Sequence, residues 1–252
     1  MPCHIETVCH LNDDVEEIIG PDSVVIAIDV LRASSTIAAA LEAGCSEVWP
    51  VATVEAAQRR YRRLCAQGVD CVIGGERGGL RIDGFQLGNS PLEYTPEMVA
   101  GRSVVLTTTN GTKALTLAGS GAQVLVGSLR NTAAVINRVA RLHPPHLVIL
   151  PAGRQGRFSL EDSLCAGFIA SGIVQATNGT TLDDLSTALK LLVEAACNSP
   201  AACRDIASLA GHTQHLQDLG RNEDINYCLE VNASQAVPVY LDGRIVLAEG
   251  PR

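Results

Sequence analysis

The feature that most limits what this chain can fold into is a series of short apolar runs. "SVVIAIDV" (23–30), "RSVVLTTTNG" (102–111), "AQVLVGS" (122–128) and "HLVILPAG" (146–153) are too short for helices and too continuous for strands wetted on one face. Runs of this kind belong to strands covered on both sides, as in a parallel sheet. Between them lie helical segments: "SSTIAAALEAG" with hydroxyl N-cap candidates and a closing Gly44, Thr53 to Gln67 closed by Gly68, "NTAAVINRVARL", and "SLEDSLCAGFIASGIV". "EVWPVA" and "VDCVIGGERGG" read as further strands. This alternation predicts an α/β fold with a largely parallel or mixed sheet covered on both faces.

After about residue 176 the pattern changes to helices, "TLDDLSTALKLLVEAAC" and "SPAACRDIASLAG", the second with Ser199 as N-cap and Pro200 in its first turn. The chain closes on "VPVYLDGRIVLAE", whose Asp242-Gly243 pair predicts a C-terminal β-hairpin with a type I′ turn. No Pro- or Ser-rich linker divides the sequence, so residues 1–252 read as one domain. "VVIAIDVLRASSTIAAALEAG" and "LVILPAGRQGRFSLEDSLCAG" share an order of strand, Arg-bearing loop, hydroxyl cap and Ala-rich helix. That order leaves open two similar β-α subdomains, about 1–140 and 141–252.

The net charge of −8 argues against a nucleic-acid binder, which needs a broad basic surface. No run approaches the roughly 18 apolar residues of a membrane span. The start "MPCHIETVCHLNDDVEEI" lacks the basic and apolar regions of an export signal, and the nine cysteines form no C-x-x-C pair. The expectation is a cytoplasmic protein with reduced thiols.

Four strand ends carry unusual loops: "IDVLRASST", "VIGGERGG", "LTTTNGT" and "PAGRQGRFSLED". Ligands of open α/β sheets bind beyond the carboxyl ends of the strands, where helix N-termini present free N–H groups. Glycine lets backbone approach an anion closely, and arginine grips it with a planar fork. The loops therefore look built to surround a polyanion.

The phrases "DVLRASSTI", "GGERGG", "GFQLGNSPLEYTPE", "TTTNGT", "GSLRN" and "AGRQGRFSLEDSLCAG" together resemble the 2-phosphosulfolactate phosphatase family, in that family's order, from about residue 24 to the terminal "DGR". The resemblance implies a three-layer α/β/α fold and Mg²⁺-dependent hydrolysis of 2-phospho-3-sulfolactate to sulfolactate and phosphate, a step of coenzyme M biosynthesis. The implied partner is a small anionic phosphorylated substrate, with no nucleic acid and no membrane; a homodimer is left open.

Hydrolysis of a phosphomonoester requires charge neutralisation, and Mg²⁺ takes hard oxygen ligands. The carboxylates in the right loops are Asp29, Glu76, Glu161 and Asp162. Asp29, Arg32, Glu76 and Asp162 are the candidate catalytic groups, and Asp29, Glu76 and Glu161 the candidate metal ligands. Ser34, Ser35, Arg77, Thr109, Asn110, Gly111, Arg154 and Arg157 are the candidate substrate contacts. Glu161 and Asp162 also have a plainer reading, since "SLED" has the form of a capping box with Ser159 as N-cap. The run "RRYRR" (59–63) reads as a solvated helix face, and His143, His146, His212 and His215 as ordinary polar residues.

Two other readings compete. "IAIDVL" and "VVLTTTNG" are similar to haloacid-dehalogenase-type phosphatases, in which an Asp attacks phosphorus. Leu31, however, stands where that family places a second Asp, so nothing adjacent could protonate the departing alkoxide. This favours direct attack by water, with Asp29 as metal ligand or base. A non-catalytic receptor for a phosphorylated or sulfonated metabolite would use the same anion loops, but would gain nothing from carboxylates facing its ligand.

Overall fold

The computed structural model describes residues 2–11, 15–118 and 123–248. Its strands are β1 (His4–Thr7), β2 (Ser23–Ile28), β3 (Glu47–Pro50), β4 (Cys71–Arg77), β5 (Leu80–Arg81), β6 (Ser103–Thr107), β7 (Gln123–Gly127), β8 (His146–Pro151), β9 (Thr181–Leu182), β10 (Pro238–Leu241) and β11 (Arg244–Leu247). The helices are α1 (Val15–Ile18), α2 (Ala33–Glu42), α3 (Val54–Ala66), α4 (Pro96–Val99), α5 (Gly111–Ala118), α6 (Thr132–Leu142), α7 (Leu160–Ala176), α8 (Asp184–Ala196), α9 (Pro200–Ala207), α10 (Gly211–Asp218) and α11 (Asn222–Cys228). Of the predicted strand segments, Ala122 and Glu249 fall outside the described residues.

All the strands join one mixed sheet of 11 strands in the order β5-β4-β6-β3-β11-β10-β7-β2-β8-β1-β9. It contains two parallel groups, β4-β6-β3 and β7-β2-β8-β1-β9. The predicted C-terminal hairpin stands between them, with β11 antiparallel to β3, β10 antiparallel to β11, and β10 antiparallel to β7. Three antiparallel steps in succession mean that the two groups run in opposite senses. The hairpin's turn carries φ of 51° at Asp242 and 81° at Gly243, the left-handed pair that a type I′ turn demands.

Because side chains alternate along a strand, each apolar run feeds two cores. Val25 and Ala27 of β2 and Val148 and Leu150 of β8 share a core with Val72 of β4 and Val104 and Leu106 of β6, closed around Ile37 and Leu41 of α2 and Ala114 and Leu115 of α5. Both parallel groups thus line one interior, so the sheet curls around α2 and α5. On the outer side, Ile26, Ile28 and Ile149 pack against α6, α7 and α8 through Val135, Ile169 and Leu189. Ala57 and Leu64 of α3 cover Ile73 and Val105. The result is the predicted three-layer α/β/α arrangement. The curl also carries the carboxyl ends of β2 and β8 to those of β4 and β6, although the groups run in opposite senses.

Asn131 locks the segment that leads into the hairpin. Its Nδ2 donates to Val126 O (3.1 Å) and Ala236 O (2.9 Å). Among the described residues no helix is long and apolar enough to cross a membrane.

Candidate active site

Asp29 is the first residue beyond β2 and is buried. The turn after it is closed by its own groups: Asp29 N–H donates to Ser34 Oγ (2.9 Å), Ser34 N–H to Asp29 O (2.9 Å), and Ala33 N–H to Asp29 Oδ1 (3.3 Å). One carboxylate oxygen is thereby fixed and Oδ2 is left toward α5. There Gly111 is required for a steric reason, since a Cβ at that position would stand 2.5 Å from Ala33 Cβ and 2.7 Å from Asp29 Oδ2. Gly111→Ala is therefore expected to push the carboxylate aside and lower kcat by about tenfold or more, because small misplacements of reacting groups are costly. Parent-like kcat with an intact fold would refute the placement.

The structure separates the predicted residues into those that hold the loops and those that face the cleft. Ser34 and Ser35 sit inside the first turn of α2 instead of capping it, and Arg32 occupies the N-cap. Ser35 Oγ donates to Val30 O (2.9 Å), so both hydroxyls bond to backbone and neither lines the cleft. Arg77 also turns away; its guanidinium donates to Glu76 O (2.7 Å), Ala52 O (3.2 Å) and Thr107 Oγ1 (3.0 Å). Glu76 lines the cleft but accepts Thr109 N–H at Oε1 and Gly79 N–H at Oε2, each at 2.8 Å, clasping two loops together. Asp162 does the same for β2 and β8, accepting Val30 N–H (2.8 Å) and Gly153 N–H (3.1 Å). Its burial, then the nearby Glu161 and Asp29 charges, raise its pKa well above the usual carboxylate range.

The capping box does not form. Asp162 is engaged elsewhere, and Ser159, although at the N-cap of α7, makes no capping bond; its buried Oγ has no partner.

Asp29, Arg32, Glu76, Thr109, Asn110 and Arg154 come together around one cleft. Arg32 is fixed there by a buried ion pair with Asp224 (2.6 Å), itself held by Ser90 Oγ (2.5 Å), and by donation to Gly79 O (2.9 Å). Arg154 stands on a tight turn whose Gln155 and Gly156 have φ of 52° and 72°, and which returns to Arg157 through paired backbone hydrogen bonds. Arg154, Gln155 and His212 also wall an adjoining chamber lined by Arg157, Ser159 and Glu161. The anionic groups of a ligand would thus meet Arg32 on the inner side and Arg154 and Arg157 on the outer.

His212 and His215 on α10 line the same cleft, contrary to their reading as ordinary polar residues. The Nδ1–H of His212 donates to Glu161 Oε1 (3.1 Å), which leaves Nε2 as its free ring atom. Glu161 is buried, and its Oε2 has no partner. The pKa of Asp29 is pushed up to about 6: burial is the main cause, the Glu76 and Glu161 charges add to it, and His212 and the Ala33 N–H oppose it. A titratable side chain thus reaches the cleft from a distant helix. A lone histidine pair on a polar helix carries no local sign of this.

The profile of the family described as 2-phosphosulpholactate phosphatase matches residues 9–243. The chain belongs to the 2-phosphosulfolactate phosphatase family. Among curated relatives, a "Probable 2-phosphosulfolactate phosphatase" of Clostridium acetobutylicum is 34% identical over 234 residues, covering 93% of this chain and 96% of the relative. Proteins of the same name from Clostridium tetani and Clostridium perfringens strain 13 are each 36% identical, covering 92% and 90% of this chain and 96% and 89% of their own lengths.

Not all the phosphosulfolactate phosphatase family phrases surround the cleft. "GFQLGNSPLEYTPE" contributes Asn89 to its wall, but it also braces the fold: Asn89 O accepts Thr36 Oγ1–H (3.1 Å) and Gly88 O accepts the Tyr94 hydroxyl (2.8 Å). "GSLRN" is structural, since Ser128 N–H donates to Asn131 Oδ1 (2.8 Å) and the Arg130 guanidinium lies over Tyr227 while pairing with Glu230.

Proposed function

We propose that this chain hydrolyses the phosphate ester of 2-phospho-3-sulfolactate, or of a closely related small phosphorylated acid, with Mg²⁺ as helper cation. The observation that carries this reading is the meeting of Asp29 with the His212–Glu161 pair in a cleft flanked by Arg32 and Arg154. Its family supports the substrate class.

The residues fit a hard divalent cation. Glu161 Oε2 is buried without a partner, and Asp29 titrates near 6 partly because two other carboxylates face it without full compensation. Asp29 and Glu161 would hold the ion, with waters and substrate oxygens completing its shell. Glu76 spends both oxygens on backbone N–H groups and adds charge instead. When bound, the cation neutralises the phosphoryl oxygens.

The chain's own groups then divide the proton work. Asp29, whose second oxygen is not engaged by Ala33 N–H, accepts the proton of the attacking water. His212 donates a proton from Nε2 to the departing alkoxide, while Glu161 keeps the ring oriented. One water is consumed and one inorganic phosphate released. Arg32 and Arg154 bind the remaining acid groups.

Phosphate release measured over a panel of small phosphomonoesters, with Mg²⁺ and after EDTA, tests the function. Turnover of 2-phospho-3-sulfolactate that stops on chelation is expected; tight binding without turnover would favour the receptor reading. Rapid acid quench of a single turnover of ³²P-labelled substrate tests the route, and label bound to the denatured protein and released by hydroxylamine would establish covalent attack by a carboxylate instead. Arg154→Ala is expected to raise KM with a loss of about 2 kcal/mol in kcat/KM, only partly restored by Lys, which lacks the planar fork. Unchanged kinetics would remove Arg154 from substrate binding.

A further inference from the structure

We propose that His4, Glu6 and His146 form a binding site for a divalent transition-metal ion of the zinc class, separate from the cleft. The backbone makes the site. His4 and Glu6 are two residues apart on β1, so their side chains share a face. In the parallel β1–β8 pairing His4 stands beside His146, which places the second imidazole next to the first and diagonal to Glu6. One ligand atom from each residue lies within 4.8 Å of the others, and the two rings stack with centroids 5.7 Å apart at 16°.

Two further observations point to a ligand. His4 Nδ1 is hydrogen-bonded to Thr181 Oγ1 (2.9 Å) and His146 Nδ1 to Ser23 Oγ (3.0 Å). Metal-binding histidines are held in this way, with one ring nitrogen anchored and the other presented. The presented atom of His146, Nε2, is buried without a hydrogen-bond partner and has Glu6 Oε2 3.4 Å away. A zinc ion at about 2.1 Å from each donor needs only small side-chain rotations to close the shell, and leaves a fourth position for water. Two imidazoles select zinc, nickel or copper over magnesium, which prefers oxygen ligands throughout. The site lies at the amino-terminal end of β8, and the cleft beyond its carboxyl end. Its occupant ties β1 to β8 and, through Thr181, to β9.

The test uses the full chain and Zn²⁺ alone, under reducing conditions because cysteines also bind zinc. His4→Ala and His146→Ala are each expected to remove one equivalent of Zn²⁺ from a calorimetric titration and to abolish the rise in Tm on adding Zn²⁺. Thr181→Val should weaken that equivalent by about 10- to 100-fold. In crystals soaked with Zn²⁺, an anomalous peak is expected between the two imidazoles and the Glu6 carboxylate. His4 is exposed, so its variant keeps the test open if His146→Ala fails to fold. Unchanged stoichiometry and Tm response in His4→Ala, or anomalous peaks confined to cysteines and cleft carboxylates, would overturn the proposal.

Discussion

In the His212→Gln variant kcat is expected to fall by about 10²- to 10⁴-fold with KM little changed, the range for losing a positioned general acid. Glutamine can still donate to Glu161 Oε1, so orientation of the region survives while the transferable proton is lost. The signature of an acid is dependence on the leaving group. An aryl phosphate, whose phenolate departs without protonation, should lose far less than an alkyl phosphate. An equal loss for both esters would show that His212 orients or binds and does not transfer a proton, and an unchanged kcat would remove it from the reaction altogether.

Asp29→Asn is expected to abolish turnover and at the same time stabilise the fold. The sign follows from the raised pKa of Asp29, about 6 in the folded protein against an ordinary 3.8. As pH rises through 3.8 the unfolded chain releases this proton while the folded chain keeps it, so stability falls until about pH 6. The shift corresponds to about 3 kcal/mol lost by the parent at neutral pH in the absence of divalent cations. Asparagine keeps the oxygen that accepts from Ala33 N–H and carries no charge. Parent and variant should therefore match in stability below about pH 4 and separate as pH rises to 6. Denaturant melts at both ends of that window measure it. Equal stability at pH 7 would mean that the Asp29 carboxylate is not penalised by its surroundings. Such a penalty is the usual cost of poising a group for chemistry.

These effects were unequally visible in the sequence. The strands were legible because burial on both faces leaves continuous runs such as Val24 to Ile28, and the helices because caps such as Thr53 and Ser199 act locally. The hairpin was legible from two residues. His212 was not, because its partner Glu161 is 51 positions away and only tertiary packing brings α10 to the end of β8. Ser34, Ser35 and Arg77 illustrate the opposite error. Polar residues in a ligand-facing loop must also satisfy the backbone that forms the loop, and composition cannot say which of the two tasks each side chain performs. Strand β1 escaped notice for a related reason: His4, Glu6 and Thr7 disguise a short polar strand that the sheet accepts near its edge.

The place of β10 and β11 bears on how the protein is made. Ribosomes deliver residues 238–247 after every other strand, yet this pair fills the middle of the sheet. Until it emerges, β3 and β7 each present an open row of backbone donors and acceptors to whatever strand is nearby. A nascent or prematurely terminated chain that lacks residues 238–247 therefore exposes at β3 and β7 two adhesive edges that the hairpin otherwise covers, and its hazard of pairing with a neighbour on the same messenger lasts until that hairpin has emerged.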